Sequence, residues 1–85
     1  MLSSKQRAYL RSLGNKLPAI FQVGKGGLSP QLLEQLGAAL AARELVKVRV
    51  LKACPLTPAE VAQGLAAGTG AEIVHTLGDT VLLYR

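Results

Sequence analysis

The sequence predicts a single α/β domain of the α+β, two-layer kind. Three helices and a small mixed four-stranded sheet follow in the order α-β-α-β-α-β-β. Three observations carry this reading. Helix starts are marked by hydroxyl caps at Ser3 or Ser4, at Ser29 and at Thr57, the last two followed by proline. Val46, Val48 and Val50 alternate with Lys47 and Arg49, the period of a strand with one buried face. Gly78-Asp79 separates two apolar runs, as a hairpin turn does. With 85 residues there is material for one core only, so residues 1–85 form one domain.

The first helix opens on a Ser3-x-x-Gln6 capping box. Tyr9, Leu10, Leu13 and Leu17 recur at about helical spacing and predict its buried face, and Gly14 offers a C-terminal stop. Lys5, Arg7 and Arg11 project mostly away from that face. Ala19-Ile20-Phe21-Gln22-Val23, short and β-rich, predicts a strand. Gly24-Lys25-Gly26-Gly27 must be a loop. Ser29 then caps a second helix with Pro30 at its first position and an apolar stripe of Leu32, Leu33, Leu36, Ala39 and Leu40. Leu45 to Leu51 predicts the second strand, its valines in the core and Lys47 and Arg49 on the other face. Thr57, Pro58 and Glu60 form the strongest helix start in the chain. Val61, Ala62, Leu65 and Ala66 follow as the buried stripe, and Gly68 and Gly70 end it. Ala71 to Leu77 and Thr80 to Tyr84 form the closing hairpin.

Composition narrows the function. Hydrophobic residues make up 49% of the chain and charged residues 18%, which excludes a disordered chain. No run approaches the ~18 apolar residues of a membrane span. A lone Cys54 excludes a disulfide framework. No charged-then-apolar leader opens the sequence, so a cytoplasmic location is expected. The net charge of +5 is unevenly spread. Residues 1–52 hold nine basic and two acidic residues, a balance of +7, and residues 53–85 a balance of −2. A basic charge gathered in one part of a small protein points to a polyanion.

Constellations for catalysis are nearly absent. His75 and Cys54 stand in different elements with no third partner, and their spacing carries no metal signature. The five acids are scattered. No catalytic residue, metal, cofactor or small-molecule substrate is therefore expected. Gly24-Lys25-Gly26-Gly27 is the informative motif. It lacks the P-loop and dinucleotide patterns but fits Gly-x-x-Gly, the loop by which KH domains clamp a nucleic-acid backbone. Glycine lets a backbone approach a phosphate closely. The free N–H groups and dipole at the start of the second helix favour an anion at the same place. Lys25 adds a mobile positive charge. A plain turn needing positive φ angles is the alternative for this motif taken alone.

In this order the segments resemble the CRM domain (chloroplast RNA splicing and ribosome maturation) in its stand-alone bacterial YhbY-like form. The matching residues are Ser4-Lys5-Gln6-Arg7, Leu10-Arg11, Gly24-Lys25-Gly26-Gly27-Leu28-Ser29, Ala39-Leu40 and Arg43-Glu44-Leu45-Val46-Lys47-Val48. Thr69-Gly70-Ala71-Glu72 and Leu77-Gly78-Asp79-Thr80-Val81-Leu82-Leu83-Tyr84-Arg85 complete them. The resemblance implies a fold similar to the C-terminal domain of translation initiation factor 3. It also implies an RNA-binding protein that meets ribosomal RNA in precursors of the large (50S) subunit; a monomer without enzymatic activity is expected. Gly24, Lys25, Gly26 and Gly27 would hold phosphates, and Lys5, Arg7, Arg11 and Lys47, with Arg49 beside them, would extend the contact. Only Tyr9, Phe21 and Tyr84 are aromatic, so recognition of RNA shape and backbone is expected over sequence. A basic adaptor docking on a ribosomal protein or assembly factor is the alternative from another class. The sequence departs from the family at Asp79, where a basic residue usually stands, and in the apolar Ala53-Cys54-Pro55-Leu56.

Overall fold

The computed structural model describes residues 2–85. Helix α1 spans Ser4–Gly14, α2 Pro30–Arg43 and α3 Pro58–Thr69. The strands are β1 (Ala19–Val23), β2 (Leu45–Val50), β3 (Glu72–Leu77) and β4 (Thr80–Tyr84). All seven expected elements form, with the second and third strands one residue shorter than the sequence suggests. The capping chemistry is as read. Ser3 and Gln6, and Thr57 and Glu60, exchange both bonds of a capping box, and Ser29 Oγ accepts the Leu32 N–H at 3.1 Å.

The strands lie in the order β1-β2-β4-β3. β1 and β2 are parallel, as a helical crossover requires, and β4 pairs antiparallel with both β2 and β3. The last strand of the chain is thus a central one. This topology brings the carboxyl ends of β1, β2 and β3 to the same end of the sheet. Two hydrogen bonds tie that end together: Leu51 N–H to the Val23 carbonyl at 2.9 Å, and Val50 N–H to the Asp79 carbonyl at 2.7 Å.

The main core lies between one sheet face and the pair α2 and α3. Val46, Val48 and Val50 of β2 and Val81 and Leu83 of β4 meet Leu36 and Leu40 of α2 and Val61, Ala62 and Leu65 of α3. Most of these are fully buried, each worth about 1.5–3 kcal/mol of transfer free energy. Helix α1 is elsewhere. Its Leu10 packs with Val74 and Leu82, and Leu82 stands between Val81 and Leu83 on a strand whose successive side chains alternate faces. So α1 covers the opposite face, and the expected two layers become three over part of the sheet. The physical reason is in β4. Val81, Leu82 and Leu83 are all buried, and a strand buried on both sides needs cover on both.

The face of α1 also differs from the expectation. Leu10 is buried, but Tyr9 is 64% and Leu13 42% exposed. Gly14 is not a left-handed stop: Asn15 follows it as the cap with helical dihedrals. Its role is close approach. A Cβ at Gly14 would stand 2.9 Å from Leu82 Cδ1 and nearer still to Cδ2. The missing side chain is what lets α1 lie down on β4.

Candidate nucleic-acid interface

The Gly24–Gly27 motif stands where β1 ends, on the joined end of the sheet. It is a tight turn, with Gly27 N–H donating to the Gly24 carbonyl at 3.0 Å. Gly27 has φ +63°, a left-handed backbone that strains any residue with a Cβ. Lys25 and Gly26 form the exposed tip, and nothing lies within 4 Å of where a Gly26 Cβ would be. Among the described residues no hydrogen bond takes up the Lys25 or Gly26 N–H. Two amides and one ammonium are therefore presented together to solvent.

The start of α2 contributes less than the sequence suggests. Pro30 has no N–H, Ser29 consumes the Leu32 N–H, and Leu33 N–H bonds the Ser29 carbonyl. In that first turn the Gln31 N–H is left, with the helix dipole behind it. The same cap that makes this helix recognisable occupies the groups that would bind an anion. The turn is held from behind. A Cβ on Gly24 would meet Leu51 Cδ1 at 3.5 Å, and Leu28 packs over Gly64 of α3, where any added side chain would collide with it.

The basic residues separate into two groups. Register pairs Lys47 with Leu82 and Arg49 with Thr80, so both cations lie on the face that α1 only partly covers. Gln22 lies beside Arg49 on β1, and Leu77 beyond Thr80 on β3, giving one open row across the carboxyl ends of the strands. Arg49 is exposed and Lys47 half-buried. Arg11, in the last turn of α1, and Lys5, in its first, are exposed. Arg7 is different. Its guanidinium donates to the Ile73 carbonyl at 3.1 Å, where the pairing of β3 with β4 is irregular between Ile73 and His75. It is a clamp at the sheet edge opposite β1. No charge pattern on the helix could have shown this, because the carbonyl belongs to a strand 66 positions away.

Asp79 sits at the hairpin turn, its Oδ2 3.9 Å from Arg49 Nε. Tyr9 is an exposed ring that periodicity had placed inside, while Phe21 packs on the main core. Cys54 also packs on the main core, whereas His75 pairs in register with Leu82 of the α1 face. The two residues that a nucleophilic site would need are thus on different sides of the sheet. Among the described residues no three His, Cys, Asp or Glu side chains gather as metal ligands, and no helix is long and apolar enough to cross a membrane.

Fold and site together define a small basic α+β domain with an open glycine turn at the end of its parallel strand pair. The family model for the CRS1/YhbY (CRM) domain matches residues 2–85, and the chain belongs to that family. It is 45% identical to the Bacillus subtilis protein named "Probable RNA-binding protein YqeI", over 100% of this chain and 88% of that one. It is 33% identical to a Haemophilus influenzae protein named "RNA-binding protein", over 99% of this chain and 85% of the other. Among solved structures, protein SAV1595 from Staphylococcus aureus superposes with a TM-score of 0.80 at 37% identity, covering 100% of this chain and 88% of its own.

Proposed function

We propose that this protein is a non-enzymatic RNA-binding protein of the cytoplasm, and that its RNA is ribosomal RNA in precursors of the large subunit. The observation that carries RNA binding is the Gly24–Gly27 turn, with two unbonded amides and Lys25 at an exposed tip on the same sheet end as Arg49. A phosphate fits this arrangement because it accepts both amide protons and the ammonium charge without needing a pocket. Lys5, Arg11, Lys47 and Arg49 extend the contact electrostatically, and Arg7 supports it by holding β3. Relatives named for RNA binding across nearly their full length support the same reading. The resemblance to YhbY-like proteins is what supports the ribosomal target.

The test is a salt titration of RNA binding by fluorescence anisotropy. Lys25→Ala is expected to weaken binding to unrelated hairpins by similar factors. It should lower the slope of log K against log salt by about 0.7–0.9, one phosphate contact. An unchanged slope and affinity removes the turn from the interface. Crosslinking in cells, with sequencing of the bound RNA, tests the target. Enrichment of large-subunit ribosomal RNA is expected, and its absence refutes that part.

A further inference from the structure

Beside the glycine turn lies a groove of about 290 Å³ to which no role has yet been given. Val50, Leu51, Cys54, Leu56 and Pro58 form its apolar lining, and Lys52 and Asp79 also line it. Leu51 is shared: it is also the side chain against which Gly24 packs. The groove therefore adjoins the glycine turn through Leu51. Its volume is at the lower end of small-ligand sites, enough for one flat ring system and too small for a folded partner element.

Its polar equipment is specific. Asp79 is held in place by its own backbone, whose carbonyl accepts the Val50 N–H at 2.7 Å. Its nearest cation, Arg49, stands 3.9 Å away, beyond hydrogen-bond distance. No hydrogen bond among the described residues consumes the Asp79 carboxylate. An ionised carboxylate only accepts, so it selects a base edge that only donates. Guanine presents two adjacent donors, N1–H and the 2-amino group. Cytosine and adenine place an acceptor beside their one amino group, and uracil flanks its single N–H with two carbonyls.

Resting on the RNA-binding reading above, we propose that this groove receives one unstacked base of the strand whose phosphate lies on the Gly24–Gly27 turn, and that Asp79 makes guanine the preferred base there. The surface is then not sequence-blind. One position is read, while the rest of the contact follows the backbone. Lys52 holds the phosphate on the far side of the base.

The probes are a nine-nucleotide oligouridine and the same strand with one central guanosine, inosine or cytidine, bound to the full chain and read by anisotropy. The guanosine strand is expected to bind about 5- to 10-fold tighter than oligouridine, the low end of what a base contact gives because Asp79 is exposed. Inosine, lacking the 2-amino group, should fall between. Asp79→Ala should abolish the preference while keeping or strengthening oligouridine binding, since Arg49 loses its carboxylate neighbour. Equal affinity for all four strands overturns the groove and leaves backbone binding standing, as does a guanosine preference that survives Asp79→Ala. Failure of every strand to bind overturns the RNA-binding reading itself, and the groove with it. Amide shifts in 15N spectra on adding GMP provide a second readout. They should cluster at Leu51, Lys52, Cys54 and Asp79, and shifts confined to residues 24–27 count against the groove.

Discussion

Replacing Gly14 with alanine sets two physical effects of opposite sign against each other. Gly14 closes α1 with no positive φ, so alanine fits its backbone, and helix propensity favours the change by up to about 1 kcal/mol. Packing opposes it. The new Cβ would stand 3.3 Å from Leu82 Cγ and 2.9 Å from Cδ1, with Cδ2 closer. Leu82 is only 4% exposed and lies between α1 and the sheet, so it cannot swing into solvent. Overpacking of this kind costs about 1–3 kcal/mol. The net expectation is a loss of about 1 kcal/mol, which lowers the thermal midpoint of a domain this size by about 4–8 °C. Circular dichroism through a thermal ramp, with urea midpoints as a check, measures it. Leu82→Ala alone should cost about 2–5 kcal/mol. In the Leu82→Ala background the alanine at position 14 should cost nothing or stabilise, because the atoms it struck are gone. A Gly14→Ala variant more stable than wild type, or two losses that simply add, would refute the packing argument.

Three further outcomes follow from the same geometry. Thr57 N–H, first, and its hydroxyl, second, hold the Glu60 carboxyl below its ordinary pKa. Its contribution is therefore present above the unfolded-state value and lost as pH falls through the lower folded one. Urea midpoints of wild type and Glu60→Gln should converge below about pH 4 and stay separate at neutral pH; parallel curves contradict this. Glu44 joins α2 to β2 at φ +68° and ψ −42°, a conformation costing a side-chain-bearing residue about 1–3 kcal/mol. Glu44→Gly should gain about 1 kcal/mol after the greater flexibility of unfolded glycine is counted, and a lower urea midpoint would argue against strain there. Arg7→Ala should destabilise the fold by about 1–3 kcal/mol by leaving the Ile73 carbonyl with one donor fewer, with a salt slope of RNA binding unchanged within error. A slope reduced by about 0.7 with no loss of stability would return Arg7 to the interface.

Local chemistry made much of this protein legible before any coordinates. Caps at Ser3, Ser29 and Thr57 each bind the amide that their spacing foretells, because a cap and its target are three residues apart. The alternation of Val46, Val48 and Val50 shows both strand and buried face for the same reason. What escaped was every effect that depends on a distant partner. Leu13 and Tyr9 have helical spacing but no surface to pack on, since β4 offers Leu82 beneath Gly14 and Leu10 instead. Arg7 and Arg11 look alike in the sequence, yet one meets a carbonyl of β3 and the other meets solvent. The three-layer arrangement was present as a hint: Val81-Leu82-Leu83 does not alternate, unlike β2. In the site, the motif and Lys25 stood out because glycine spacing is local. The groove did not, because Leu51, Leu56 and Asp79 come from separate segments that only the sheet brings together.

The central place of β4 has a consequence for how the protein is made. A chain emerging from its ribosome can form β1, α2 and β2 early, since β1 pairs with β2 and α2 packs on it, but α1 must wait for Val74 and Leu82. The sheet cannot close, because β2 and β3 both bond to β4 and not to each other. Until residues 80–84 are free, Val46 and Val48 lack half their partners and β3 has no strand to lie against. The sheet therefore closes only once residues 80–84 have been made. Loss of the final strand by truncation or a late frameshift would leave two unpaired strand edges, the kind of surface on which nascent chains aggregate.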